Sequence, residues 1–407
     1  MTTSPTRSTA RTHAALADAH RRLAARDATI IRAQVAVSEI AAPTGEEQRR
    51  AAWIARRFTL LGLTDVRTDA AGNVIGRRPG AVPGPAVAVC AHLDTVFPRD
   101  IAVRVRVDGD RLQGPGIGDN GRGLAAMLAL AEEIDGARLR TRAPVEFVAT
   151  TGEEGRGDLR GAKTFFANAA GSADAARFGI AAAIALDGAG DERIVNRGLG
   201  SRRFRITFRG PGGHSWAAYG LANPVHAAGS AVAKLAALAV PREPRTTLSV
   251  GRIAGGIAVN AIADEAWLEV DLRSTAPRIL ERLDRELRLA VLAALAEENL
   301  RRAPATPALD CAVEVIGDRP CGDVPTDHPL VQSAVEATRL IGRDPELATA
   351  STDANIPISL GVPAIAIGAG GRGGDAHTSA EWFDNTDGPL GIARALTIIV
   401  SAAGGLV

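Results

Sequence analysis

The sequence has few cysteines and no long apolar run, and each absence excludes a class of protein. Cys90, Cys311 and Cys321 are too few and too widely spaced to suggest a disulfide framework or a thiolate zinc site. The longest clean apolar runs, such as residues 124–131, are far shorter than the ~18 residues that a membrane span needs. Residues 1–26 lack the apolar core of a signal peptide. We therefore expect a cytoplasmic protein that does not span a membrane.

An excess of charge of one sign is also missing. The 47 basic and 46 acidic residues give a net charge of +1, so no overall field would attract nucleic acid or a membrane surface. Hydrophobic residues make up 46% of the chain and charged residues 23%, which excludes gross disorder. The 407 residues suffice for about two to three domains. We expect neither a nucleic-acid nor a membrane partner, and local charges must hold any acidic substrate.

Short apolar runs rich in β-branched residues alternate with sequence that is typical of helices. The four runs are residues 86–91, 145–150, 181–186 and 363–368. Strands that alternate with helices predict an α/β fold, in which a mostly parallel sheet is covered by helices on both faces.

A segment in the middle of the chain has a different pattern. It contains a strand at 203–209, a helix from Asn223 and Pro224 to about 240, strands near 246–253 and 263–273, a helix from Pro277 to about 302, and a strand at 311–316. The order βαββαβ is that of a ferredoxin-like domain. We predict that this domain, residues 199–318, is inserted in an α/β domain formed by residues 1–198 and 319–407.

Polar side chains that could bind metal follow the predicted strands of the α/β domain. In chain order they are His92, Asp94, Glu153, Glu154, Asp187 and His377, and Asp119 precedes a helical run at 121–134. Sites in open α/β sheets form outside the carboxyl ends of the strands. We therefore expect these side chains to meet at one edge, although each alone has an ordinary interpretation as a helix cap, a turn or a solvated pair.

Two imidazoles and several carboxylates, without thiolates, suit zinc or a similar divalent ion. The carboxylates of Asp119, Glu154 and Asp187 nearly balance the charge of two such ions, and one bridging hydroxide would complete the balance. Asp94 comes two residues after His92, and alternate residues of an extended chain point the same way. Asp94 is therefore predicted to orient the His92 imidazole.

These residues resemble those of the di-zinc exopeptidase and deacylase superfamily, which includes peptidase T, glutamate carboxypeptidase, acetylornithine deacetylase and aminoacylase. The resemblance spans roughly residues 40–400 and depends on HLDTV, Asp119, the tandem glutamates, Asp187, GGHS around His214 and the late His377. It implies a catalytic α/β domain with two zinc ions, for which cobalt or manganese could substitute, and a lid domain that often dimerises. Asp187 stands where the carboxypeptidase and deacetylase branches usually carry glutamate, which makes the chain most similar to peptidase T and the dipeptidases.

The resemblance also implies a role for each residue. His92, Asp119 and Asp187 correspond to the ligands of one ion, and Asp119, Glu154 and His377 to those of the second, with Asp119 bridging. Glu153 corresponds to the general base.

In the inserted domain, His214 corresponds to the histidine that stabilises the oxyanion, often across a dimer, and Asn260 and Arg273 to positions that hold the substrate. Two simpler interpretations stay open. His214 could hydrogen-bond within a tight turn, and Arg273 could pair with Asp271 or Glu269.

The implied activity is hydrolysis of amide bonds in short peptides by a di- or tripeptidase-like exopeptidase. The alternative is an N-acyl amino acid deacylase or amidohydrolase that uses the same metals. Accordingly, the expected partners are a small peptide or N-acyl amino acid as substrate and a second copy of the chain in a homodimer.

Overall fold

The computed structural model describes residues 5–135, 138–170 and 179–407. Its helices are α1 (Pro5–Ala25), α2 (Asp27–Ser38), α3 (Gln48–Leu60), α4 (Gly121–Glu133), α5 (Arg160–Ala170), α6 (Pro224–Ala236), α7 (Pro277–Arg301), α8 (Pro329–Leu340), α9 (Asn355–Ser359) and α10 (Gly388–Ala402). None of the described helices is both long and apolar enough to cross a membrane.

The strands fall into one large and three small sheets. They are β1 (Thr64–Thr68), β2 (Val74–Arg78), β3 (Ala86–His92), β4 (Arg106–Asp108), β5 (Arg111–Gln113), β6 (Val145–Thr150), β7 (Ile180–Leu186), β8 (Arg193–Gly198), β9 (Gly200–Arg209), β10 (Gly213–His214), β11 (Thr247–Gly255), β12 (Ala261–Ile262), β13 (Glu265–Ser274), β14 (Asp310–Arg319), β15 (Gly322–Asp323), β16 (Glu346–Ala350), β17 (Ala364–Ile367), β18 (Arg372–Gly374) and β19 (Trp382–Asp384).

The chain forms two compact units. One contains Met1–Gly198 and Asp323–Val407, and the other is the continuous segment Leu199–Gly322. The large sheet of the first unit has the order β1-β2-β6-β3-β7-β17-β8-β15, and β16 also pairs with β8. Its central strands β6, β3, β7 and β17 are parallel neighbours, whereas β1, β2 and β8 add antiparallel pairs towards the edges. The predicted mostly parallel sheet is confirmed.

Successive residues of β3 pack into hydrophobic clusters on opposite faces of this sheet. Val87, Val89 and Ala91 belong to the cluster that includes side chains of α1, α3, α4 and α10. Ala88 and Cys90 belong to the cluster that includes side chains of α5 and α9. Because both faces are covered, the central strands are predominantly apolar, and the polar side chains that could bind a ligand lie at the strand ends.

The second unit has the predicted ferredoxin-like arrangement. Its antiparallel sheet has the order β11-β13-β9-β14 and packs against α6 and α7. Burial alternates along β13, with Leu268, Val270 and Leu272 in the core. The side chains between them lie on the other face, where Asp271 pairs with Arg203 at 3.1 Å. This strict period of two fixes the register of the strand.

Candidate metal centre and active site

The metal-binding candidates of the first unit lie at the carboxyl ends of its parallel strands. His92 is the last residue of β3, the two glutamates follow β6, and Asp187 follows β7 directly. Asp119 lies just before α4, and its peptide bond to Asn120 is cis. The fold brings these segments together with His377, whose Nε2 is 3.1 Å from the Asp119 carboxylate.

Asp119 lies between two imidazoles. Its Oδ1 is 2.9 Å from Nε2 of His92, and its Oδ2 is 3.1 Å from Nε2 of His377. Oε1 of Glu154 is 3.0 Å from the same nitrogen of His377, and Oδ1 of Asp187 is 3.9 Å from Nε2 of His92. The side chains therefore form two groups of three that share Asp119.

The chemistry of these donors fits divalent cations. One potential ligand atom from each of His92, Asp119 and Glu154 lies within 4.8 Å of the others. Each group of three combines an imidazole with carboxylates, a donor set that suits zinc and similar ions. The side chains of His92 and Glu154 are buried, and those of Asp119 and Asp187 are partly buried. An unpaired carboxylate is costly in such surroundings.

The pKa values of the cluster reflect this crowding of negative charge. Burial and, after it, the negative charge of Asp119 together raise the pKa of Asp187 to about 7. Burial alone would lower the pKa of His92, but its hydrogen bond to Asp119 and the surrounding carboxylates raise that pKa well above the usual value. The hydrogen bond to Asp119 also raises the pKa of His377, to about 9. The carboxylates thus stabilise positive charge on both imidazoles, as they would stabilise bound cations.

The contacts of Asp94 differ from those that its spacing predicts. Nδ1 of His92 is 3.0 Å from the backbone carbonyl oxygen of Asp94 but 3.7 Å from its carboxylate. The carboxylate instead accepts hydrogen bonds from the backbone N–H groups of Glu153 at 2.9 Å and Glu154 at 3.0 Å, and from the Thr44 hydroxyl at 2.9 Å. Because β3 ends at His92, the alternation of an extended strand does not continue to Asp94. Its carboxylate positions the tandem glutamates, and its carbonyl orients the imidazole.

Two buried side chains that the sequence did not reveal hold Asp119 in place. The carboxylate of Glu381 accepts hydrogen bonds from the backbone N–H groups of Gly116, Gly118 and Asp119, each at 2.8 Å. Asn120 caps α4 through Gly123, and its amide donates to the carbonyl of Leu186 at 2.8 Å. Asn120 had a local signal, since asparagine before a helical run is a preferred cap. Glu381 had none, because its partners are more than 250 residues away in the sequence.

The remaining candidates belong to the second unit. His214 lies in β10, and its Nδ1 accepts a hydrogen bond from the backbone N–H of Trp216 at 3.2 Å. The N–H of Ser215 donates to the carbonyl of Asn260 at 2.9 Å, so His214 and Asn260 lie close together. Arg273 forms an ion pair with Asp271, with Nε 2.7 Å from Oδ2. The structure therefore contains both of the simpler arrangements that the sequence allowed, which are the hydrogen-bonded turn at His214 and the ion pair between Arg273 and Asp271.

The family of the chain follows from a comparison of its sequence with family models. The model described as "Peptidase family M20/M25/M40" matches residues 88–401, which is most of the chain and includes every metal-binding candidate from His92 to His377. The chain belongs to this peptidase family. As a family M20 member it is a metal-dependent hydrolase, and the His, Asp and Glu cluster fits that assignment. Comparison with curated proteins gives no significant match.

Solved structures share the fold over nearly their whole length. A tripeptidase from Staphylococcus aureus has a TM-score of 0.75 at 23% identity, covering 92% of this chain and 98% of that chain. YxeP from Bacillus subtilis, described as a dinuclear metal-binding peptidase of family M20, has a TM-score of 0.66 at 17% identity, covering 95% and 99%. An amidase of the hydantoinase/carbamoylase family from Burkholderia vietnamiensis has a TM-score of 0.66 at 19% identity, covering 94% and 97%. At these identities the likeness shows the M20 fold.

Proposed function

We propose that this family M20 member is a di-zinc exopeptidase that hydrolyses di- and tripeptides. The observation that carries the proposal is the position of the Asp119 carboxylate between the imidazoles of His92 and His377. The S. aureus tripeptidase, which has the same fold, supports peptides as the substrate class. The Burkholderia amidase keeps a second candidate open, an N-acyl amino acid deacylase with the same metals.

Asp119 is proposed to bridge the two ions. His92 and Asp187 would complete one site, and Glu154 and His377 the other. Zinc is proposed because two imidazoles and oxygen ligands suit it, and cobalt or manganese accept similar donors. Two such ions would polarise the scissile carbonyl and lower the pKa of an attacking water.

Glu153 is proposed as the general base. Its side chain is buried, its backbone N–H is fixed by the Asp94 carboxylate, and its charge acts on His92. A carboxylate held there would take the proton of the attacking water as the water oxygen bonds to the carbonyl carbon. It would return that proton to the amine nitrogen when the C–N bond breaks.

His214 is proposed to stabilise the oxyanion. Because its Nδ1 accepts a backbone hydrogen bond, the neutral ring carries its proton on Nε2, which can donate to a developing negative charge. Asn260 and Arg273 are proposed to hold the backbone and the terminal carboxylate of the substrate. Arg273 would share its guanidinium between Asp271 and that carboxylate.

This assignment predicts that a free terminal carboxylate matters. The metal-loaded protein should hydrolyse dipeptides and tripeptides faster than N-acetyl amino acids, and should cleave C-terminally amidated peptides about tenfold or more slowly. Arg273→Ala should remove most of the difference between free and amidated peptides. The matched control is Arg209→Ala, because Arg209 lies on the same sheet and likewise forms an ion pair, with Glu265. This variant should keep the difference between free and amidated peptides. If N-acetyl amino acids are hydrolysed faster than every peptide, measured by chromatography of the products, the deacylase replaces the peptidase.

A homodimer through the second unit is also proposed. Among the described strands, β11 pairs with β13 alone. It is mostly exposed over its nine residues and carries Ile253 at 55% exposure. Such an edge is a template for pairing with a second copy, and α6 packs beside it.

Sedimentation should therefore give a particle twice the 42.1 kDa of the chain at micromolar concentration. Ile253→Lys should shift it towards the monomer, because a charge on the edge opposes strand pairing. Leu289→Lys, at a position 66% exposed on α7, is the control and should leave the dimer intact. A wild-type protein that sediments only as a monomer contradicts the dimer.

A cytoplasmic location is proposed as well. The three cysteines are all free thiols, and Cys90 and Cys321 are buried. Free thiols are typical of proteins in a reducing compartment.

A further inference from the structure

A cavity of about 690 Å³ opens in the first unit beside Asp119 and Asp187. Two glycine-rich segments, residues 188–190 and 371–374, form much of its wall. Because glycines contribute no side chains, the cavity is open next to the metal-binding carboxylates. A substrate residue attached to the scissile carbonyl therefore has room there.

Arg372 lines this cavity from β18, on the segment that leads to His377. It is exposed, and within the described part of the chain it makes no ion pair. Its partner across the strand pair is Asp384, whose carboxylate accepts hydrogen bonds from the backbone N–H and hydroxyl of Thr386 at 2.8 and 2.6 Å. The bonds from Thr386 lower the pKa of Asp384, and the charges of Arg111 and Arg372 lower it further. The Arg372 guanidinium thus acts on Asp384 through its charge without a close ion pair, and its exposed end can contact a ligand.

The other arginines of the cavity are already engaged. Arg343 pairs with Asp191 at 3.1 Å and with Asp387 at 2.9 Å. Nη2 of Arg193 donates to the backbone carbonyl of Thr349 at 3.4 Å. Both of these guanidinium groups have partners on the protein, whereas Arg372 adds an exposed positive charge to the glycine-rich wall.

We propose that Arg372 selects substrates with an acidic side chain on their amino-terminal residue. The inference rests on the proposed peptidase function, in which the scissile carbonyl lies at Asp119 and Asp187, beside this cavity, and belongs to the amino-terminal residue of a dipeptide. A guanidinium matches a carboxylate in a bidentate contact, and a neutral amide of the same shape satisfies it less well.

The test compares the metal-loaded protein on the dipeptides Glu-Ala, Gln-Ala, Lys-Ala and Ala-Glu. We expect kcat/KM for Glu-Ala to exceed that for Gln-Ala by about tenfold or more, mainly through a lower KM. Arg372→Ala should reduce this ratio to near one, and Arg372→Glu should favour Lys-Ala. Arg104→Ala, which removes an exposed arginine outside the cavity, should leave the ratio unchanged.

A binding measurement separates this inference from the peptidase proposal. Calorimetry on metal-loaded Glu153→Gln should show glutamate bound about tenfold more tightly than glutamine, and Arg372→Ala in that background should equalise them. If no peptide is hydrolysed, the peptidase proposal fails, but the calorimetric comparison of glutamate with glutamine still tests the role of Arg372. The inference is overturned if glutamate and glutamine bind with equal affinity, or if the wild type prefers Lys-Ala. It is also overturned if Arg372→Ala changes only the hydrolysis of Ala-Glu.

Discussion

Glu153→Gln is expected to keep two metal ions per chain and to lose about 10²- to 10⁴-fold of kcat. The amide of glutamine has nearly the shape of the carboxylate but cannot accept the proton of the attacking water. The backbone hydrogen bonds from Glu153 and Glu154 to Asp94 do not involve the substituted side chain, so the loop should keep its position. Inductively coupled plasma mass spectrometry gives the metal content, and steady-state kinetics give kcat.

The adjacent glutamate supplies the matched control. Oε1 of Glu154 lies 3.0 Å from Nε2 of His377, within the second group of three side chains. Glu154→Gln should therefore lower the metal content towards one ion per chain, and added metal should restore part of its activity. If Glu153→Gln instead loses an ion and Glu154→Gln keeps both, the two roles are reversed.

The parts of the fold that sequence predicted are those in which one local pattern determines the structure. The runs that became β3, β6, β7 and β17 are mostly buried on both faces, so they are predominantly apolar and easily recognised. The outer strands β1 and β16 were missed because their residues are mostly exposed and have no such pattern.

At the candidate site, sequence predicted the strand-end residues but not the contacts that position them. His92 and Asp187 each end or follow a strand, so their place at the sheet edge follows from the topology. The contacts of Asp94 and Glu381 are hydrogen bonds to the backbone of loops, and no residue pattern encodes which carboxylate meets which N–H group. Those contacts depend on tertiary structure, which a single sequence does not reveal.

Asp119→Ala is expected to have the largest effect on metal binding, because its two carboxylate oxygens face different imidazoles. Oδ1 lies 2.9 Å from His92 and Oδ2 3.1 Å from His377, so removal of this one side chain takes a ligand from both proposed sites. The variant should retain less than one ion per chain after dialysis and have no measurable peptidase activity. His377→Ala, which takes a ligand from the second site only, should retain about one.

Thermal unfolding gives a second readout of Asp119→Ala that does not depend on turnover. An ion that binds only the folded state increases the free energy of unfolding, by about 2.7 kcal/mol when the free ion concentration is a hundred times Kd. The midpoint temperature of unfolding rises as a result. Added zinc should therefore stabilise the wild type most, His377→Ala less, and Asp119→Ala least. Glu381 should still hold the loop in the variant, because its bond to residue 119 is to the backbone N–H. Retention of one tightly bound ion by Asp119→Ala, with stabilisation equal to that of His377→Ala, would show that this carboxylate serves one site and does not bridge.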